Sequence, residues 1–177
     1  MNIIGIDPGT SGAICRINER TVMLCDIPVI VTKRKTGKYD AKGREKVRER
    51  SEYNLAECNR LIKAMISGGD MATIYMEEVH VRPARDGRKD SMRSAEQIGR
   101  GSMLWEVLAA VHNIKLVPVK PQAWKRMFSL INADKEASRA TAIRQFPALG
   151  GQLKRKKDHN RAEALLIAEY GRMVSCP

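Results

Sequence analysis

Three groups of carboxylates stand where packing alone does not explain them. Asp7 closes a short apolar run, Asn2 to Asp7, directly before Pro8-Gly9-Thr10-Ser11-Gly12, so its side chain should project at the lip of the sheet that the run joins. Glu77 and Glu78 lie within the β-forming run Met71 to Val81. A carboxylate inside a strand must be paired, exposed or bound to a cation, because burying it alone is costly. The third group, Asp158 and Glu163, belongs to a segment from Lys157 to Ala168 that is polar at its start and apolar afterwards. Donor sets made only of oxygen favour Mg²⁺ or Mn²⁺ over zinc. His80, His112 and His159 lack zinc-ligand spacing, and Cys15, Cys25, Cys58 and Cys176 lack C-x-x-C spacing and read as reduced thiols.

Each group also has a plainer explanation. An Asp before a glycine-rich turn caps the following N–H groups, and acids at a helix start cap it and complement its dipole. Alternation along a strand puts only one of Glu77 and Glu78 on the face of Asp7, without saying which. The coincidence of all three groups is more specific than any one of them.

The elements that would position these acids follow from periodicity. Asn2–Asp7, Gly12–Asn18 and Thr21–Ile27 read as an antiparallel meander of three strands. Ser51–Ile66 carries apolar residues at the helical period, with Ser51 as its N-cap. A strand over Met71–Val81, a helix over Ser94–Asn113, a strand over Ile114–Val119 and helices over Ala133–Phe146 and Ala162–Met173 complete the chain. This order specifies an α/β fold with a mixed sheet flanked by helices. The 177 residues, 43% hydrophobic, suffice for one domain with one core.

A formal net charge of +12 points to a polyanionic partner, nucleic acid first. Residues Lys33 to Arg50 hold nine Lys or Arg against three acids, interrupted by Gly37 and Gly43. This segment reads as a flexible or hairpin-like excursion that contacts DNA through Lys33, Arg34 and Lys35. The stretch Arg82 to Arg100 adds Arg85, Arg88 and Lys89, and the run Lys154 to Lys157 adds Lys156 and Lys157. One such run is usually solvated surface; three together favour phosphate contact. With only 5% aromatic residues, stacking on single-stranded bases is a minor theme, and contact with duplex arms is the expectation. No apolar run nears the roughly 20 residues of a membrane span. The start of the chain lacks the pattern of a secretory signal, so a cytoplasmic location is expected.

Taken in order, Ile4-Gly5-Ile6-Asp7-Pro8-Gly9-Thr10-Ser11-Gly12, Tyr75-Met76-Glu77-Glu78-Val79 and the segment Asp158 to Ala168 resemble the RuvC-type Holliday junction resolvases of the RNase H-like superfamily. The resemblance spans nearly the whole chain. It implies an RNase H-like fold, a five-stranded mixed sheet of order 3-2-1-4-5 flanked by helices. Asp7 matches the first acid of the family, Glu77 the second and Glu163 the last. Where the family places a further acid, three residues before Glu163, this chain has Asn160. Asp158 is taken as the partner acid, His159 as the next candidate and Asn160 as a neutral oxygen ligand at best. Lys125, in Pro121-Gln122-Ala123-Trp124-Lys125, resembles a family lysine placed close to the scissile phosphate, with Lys135 as a possible second.

The implied activity is metal-dependent phosphodiester hydrolysis in Holliday junctions and other branched DNA by a homodimer. Two Mg²⁺ or Mn²⁺ ions per site, about 3.5–4 Å apart, would be held by Asp7, Glu77, Asp158 and Glu163. The helix Ser94–Asn113 would form the dimer interface. The competing reading is a branched-DNA-binding protein on the same fold with little or no catalysis.

Overall fold

A computed structural model describes residues 1–68, 71–81 and 92–175, apart from the side chain of Lys135. The candidate DNA contacts Arg85, Arg88 and Lys89 lie outside the described residues.

The first apolar run forms β1 (Asn2–Asp7), followed by β2 (Ala13–Ile17) and β3 (Val22–Asp26). The two turns are held by Gly12 N–H donating to the Gly9 carbonyl and by the Asn18 side chain accepting from the Arg20 and Thr21 N–H groups. The chain then leaves the sheet as a separate two-stranded ribbon, β4 (Val29–Tyr39) and β5 (Glu45–Tyr53). It returns through helix α1 (Leu55–Ile66) to β6 (Ala72–Glu77), and through α2 (Met92–Val111) to β7 (Lys115–Val119). Three further helices follow: α3 (Pro121–Met127), α4 (Lys135–Gln145) and α5 (His159–Ser175).

The main sheet has the order β3-β2-β1-β6-β7, antiparallel within the meander and parallel from β1 to β7. With the ribbon set aside, this is the expected order 3-2-1-4-5. Alternation sorts the sheet residues onto two cores. Ile4, Ile6, Ile14, Ile74 and Met76 pack with Cys58, Ile62 and Met65 of α1 and Trp105 and Leu108 of α2. Ile3, Ala13, Cys15, Ile17 and Tyr75 pack with the buried stripe Ala164 to Ala168 of α5. Full burial of each such aliphatic side chain contributes roughly 1.5–3 kcal/mol, so α5 is held firmly on its face. The approach depends on Gly5: a Cβ there would lie 2.3 Å from the Ala164 carbonyl oxygen and 2.3 Å from the Ala168 nitrogen.

Several boundaries differ from the sequence expectation. Ser51 is not a helix cap but a residue of β5; Asn54 takes that place, its side chain accepting from the Glu57 N–H at 3.3 Å. The basic excursion takes the hairpin-like form of the two expected, a ribbon paired from Val29 opposite Tyr53 to Tyr39 opposite Glu45, with a bulge between Lys35 and Tyr39. The short helix α3 was not foreseen, and α5 begins at His159 rather than Ala162.

Candidate active site

Strand register sets the acids. Ile6 pairs with Met76, so one step further Asp7 stands beside Glu77 at the carboxyl ends of two parallel neighbours. Asp7 also pairs with Ala13, and Glu77 with Val119, giving a row across four strands at one edge of the core. By alternation both carboxylates take the face of Gly5, the face covered by α5. Glu78 falls on the other side of the pleat, and its carboxylate meets His80 Nε2 at 3.4 Å. This placement answers the choice that alternation left open.

Helix α5 delivers Glu163 to the same end. Glu163 directly precedes Ala164, whose carbonyl faces Gly5 two residues below Asp7. Its charge reaches Glu77, whose pKa is raised first by burial and then by Glu163, against the lowering effects of Trp124 and Lys125. The Trp124 indole N–H donates to Glu77 Oε1 at 3.0 Å, and Lys125 Nζ lies 5.2 Å from the centre of the Trp124 ring. Thus α3, entered through Pro121 at its first turn, contributes a neutral donor and a cation to one carboxylate. The sequence reading singled out Lys125 but missed Trp124, which looked like a core residue and is indeed fully buried.

Asn160, one turn before Glu163, donates its side-chain N–H to the Ser11 carbonyl in the turn that follows Asp7. Asp158 is placed differently. Its carboxylate accepts from the Arg155 backbone N–H at 2.8 Å and from the Arg155 guanidinium at 2.8 and 3.1 Å, with the Asp158 side chain 4% exposed. Arg155 accordingly holds the Asp158 carboxyl below the usual aspartate value. Asp158 ends a short 3-10 turn, Lys156–Asp158, and braces the entry to α5. The Arg155 guanidinium thus occupies the Asp158 oxygens that the expected pairing with Glu163 assigns to a metal. His159 Nδ1 lies 3.0 Å from the Lys156 carbonyl, while Lys156 and Lys157 are exposed beside it.

Tyr53, at the end of the ribbon, was also missed. Its hydroxyl donates to the Pro8 carbonyl at 2.8 Å, next to Asp7. Burial, then the Asp7 charge, push the Tyr53 pKa up to about 12. Gly101 of α2 makes room for this contact: a Cβ there would lie 2.4 Å from the Tyr53 hydroxyl and 2.6 Å from the Pro8 oxygen. A depression lined by Pro8 to Ser11, Tyr53, Ser94 and Gln97 opens beside the acid row.

The donors present are of the kind that takes a divalent cation: carboxylate oxygens, among them Glu77, whose ionisation burial and the Glu163 charge make more costly. As the side chains stand, no three His, Cys, Asp or Glu among the described residues close around one point. Among those residues no helix is long and apolar enough to cross a membrane.

No protein-family model and no curated protein sequence matches the chain. Solved structures do. RuvC of Thermus thermophilus superposes with a TM-score of 0.53 at 18% identity, covering 98% of this chain and 97% of the other. The same organism's RuvC in complex with a Holliday junction substrate gives 0.52 at 18% identity, covering 98% and 96%. The chain therefore has the RuvC form of the RNase H-like fold over essentially its full length.

Proposed function

We propose that the protein is a structure-selective endonuclease that hydrolyses phosphodiester bonds in Holliday junctions and other branched DNA. What supports this reading is that Asp7 and Glu77 stand side by side at the ends of neighbouring strands, within reach of the charge of Glu163, on a RuvC-like fold with net charge +12. Carboxylates gathered on so basic a chain are poorly suited to holding DNA and well suited to holding cations against it.

Asp7, Glu77 and Glu163 would hold Mg²⁺ or Mn²⁺, and Asp158 braces the helix that carries Glu163. When bound, two such ions supply an activated water and charge stabilisation on the leaving oxygen. The chain's own residues perform the rest. Trp124 fixes the orientation of Glu77 through its indole N–H. Asn160 ties the first turn of α5 to the loop after Asp7, so the two walls of the site keep their spacing. Lys125, close enough to lower the Glu77 pKa, provides positive charge where a pentacovalent phosphorus would accumulate negative charge.

A symmetric four-way junction cut by paired nicks calls for a two-fold enzyme. Helix α2 offers a surface for such pairing, since Met103, Val107 and Val111 recur every fourth residue and are all exposed. Sedimentation at micromolar concentration tests the dimer, and a persistent monomer with and without junction rules it out.

The test of the function is cleavage of labelled four-way, forked and linear DNA in Mg²⁺ by the wild type and Asp7→Asn. Loss of cutting with junction affinity retained is the expected result. A wild type that binds but never cuts establishes the competing reading, a branched-DNA-binding protein on this fold.

A further inference from the structure

The basic ribbon β4–β5 has two faces of different electrostatic character, and the register defines them. On one face Lys33 meets Glu49 at 3.0 Å and Lys35 meets Glu45 at 3.4 Å, so each cation has a cross-strand acid. At its base this face turns onto the body, where Tyr53 reaches the Pro8 carbonyl. On the other face Arg34 stands directly opposite Arg48, flanked by Lys46 and Arg50 along β5. Only Arg50 there has an acid, Glu52 at 2.7 Å. Arg44, at the tip, pairs with Asp40. Among the described residues no ion pair involves Arg34, Lys46 or Arg48, and all three are exposed or nearly so.

Like charges placed directly opposite on neighbouring strands repel. A ribbon evolved only to be soluble would gain by placing an acid across from Arg34, as it does across from Lys33. We propose that the face bearing Arg34, Lys46 and Arg48 is a phosphate-binding tract that grips one double-stranded arm of the DNA substrate. The face bearing Lys33 and Lys35 is the self-neutralised structural side. This reading rests on the proposed function for the nature of the ligand and places the DNA contacts on the face opposite Lys33 and Lys35. Duplex is favoured over single strands because the only aromatic residue among the exposed positions of the ribbon is Tyr39 at its tip, leaving no stacking platform. A two-stranded ribbon is also a shape that the major groove of B-form DNA admits.

The test is the salt dependence of affinity for fluorescein-labelled linear duplex and four-way junction, measured by anisotropy in EDTA so that no cleavage occurs. Replacing Arg34, Lys46 and Arg48 together by Thr, which keeps strand propensity, should lower the slope of log affinity against log salt by about 2.7, at about 0.9 per phosphate contact. Lys33→Thr with Glu49→Thr, which removes a pair without changing net charge, should leave the slope as it was. Arg34→Lys with Arg48→Lys should also keep it, which separates lost charge from a damaged ribbon. An unchanged slope in the triple variant overturns the proposal. So does an equal drop when the exposed body residues Lys63, Lys115 and Lys120 are replaced instead, because net charge alone would then explain the effect. These measurements do not depend on cleavage, so absence of nuclease activity in the wild type would leave the tract standing, whereas loss of the tract would leave the nuclease reading standing.

Discussion

The Trp124 indole N–H donates to Glu77 Oε1 at 3.0 Å, a bond from a fully buried indole to a carboxylate that burial has already made reluctant to ionise. The bond favours the charged form of Glu77. Trp124→Phe keeps most of the ring but removes the donor, so the Glu77 pKa should rise further and the acid limb of the cleavage profile should move to higher pH. Groups that orient metal ligands typically contribute 10–100-fold to metal affinity, and a Mg²⁺ requirement raised by about that factor is expected. A profile and Mg²⁺ requirement identical to those of the wild type would show that the bond is incidental.

The raised pKa of Glu77 has a consequence for stability. The folded state holds this proton more tightly than the unfolded chain, so stability falls as pH rises from the ordinary value of 4.5 through the folded value. Glu77→Gln removes that dependence. In metal-free buffer at neutral pH it should melt above the wild type while cutting no DNA, and the difference in melting temperature should vanish below pH 4.5. A variant less stable than the wild type at neutral pH would contradict this account.

Asp158 behaves in the opposite sense. Its pKa is depressed by Arg155, so its contribution is present above the ordinary aspartate value of 3.8 and is lost as pH falls through the lower folded value. Asp158→Asn should cost about 1 kcal/mol or somewhat more, the range of a lost cap, and should retain Mg²⁺-dependent cleavage in the folded fraction. Arg155→Gln should change stability in the same direction, since it removes the group that depresses the Asp158 carboxyl. Full stability with abolished cleavage in Asp158→Asn would return this residue to the metal-binding set. Parallel substitutions of His159 and Asn160 by Ala, assayed for cutting and binding separately, complete the comparison.

Tyr53 should titrate near pH 12, as followed by the tyrosinate absorbance that Tyr53→Phe removes. Asp7→Asn removes a nearby negative charge and should bring that transition to lower pH. Tyr53→Phe leaves the Pro8 carbonyl without this donor, for a cost of about 1 kcal/mol. A Tyr53 transition at the ordinary tyrosine value of 10.0 would mean that the ribbon does not dock on the turn after Asp7.

Gly5→Ala should be among the most damaging single substitutions, because its Cβ would meet backbone atoms of α5 that cannot swing aside. Overpacking of this kind typically costs 1–3 kcal/mol and occasionally more. Any relaxation must lift α5, and with it Glu163, away from Asp7 and Glu77. A folded variant should therefore lose cleavage faster than stability, as read from paired activity and thermal-melt measurements.

The meander, the in-strand acids and the last helix were legible because each rests on a short-range signal: an apolar run ended by Pro8-Gly9, carboxylates within a β-forming run, and a segment polar at its start; the sheet order and the choice of Glu77 came from the family resemblance instead. The strand character of the ribbon was harder to read, since Lys and Arg dominate its middle, where the β-favouring residues Thr36, Tyr39 and Val47 are scattered. Ser51 drew attention as a cap, although Asn54, three residues before Glu57, fits the N-x-x-E spacing of a capping box better. That misplacement hid Tyr53 inside an assumed helix. Trp124 could not have been assigned, because nothing local shows that its indole N–H faces a strand from another part of the chain. The direction of the Asp158 carboxylate was decided by Arg155, three residues earlier, a signal present in the sequence but overlooked.

The ribbon leaves the body at Val29 and returns at Tyr53, which are paired with each other, so its length is set independently of the sheet below. Side chains alternate with a period of two. Lengthening or shortening both strands by two residues would change how far the outer end reaches while keeping each side chain on its own side. A change of one residue per strand would instead exchange the two sides beyond the insertion, carrying Arg34 and Arg48 to where Lys33 and Glu49 now stand. Natural variation in this segment should therefore come in even steps per strand, and so should any engineered change of reach.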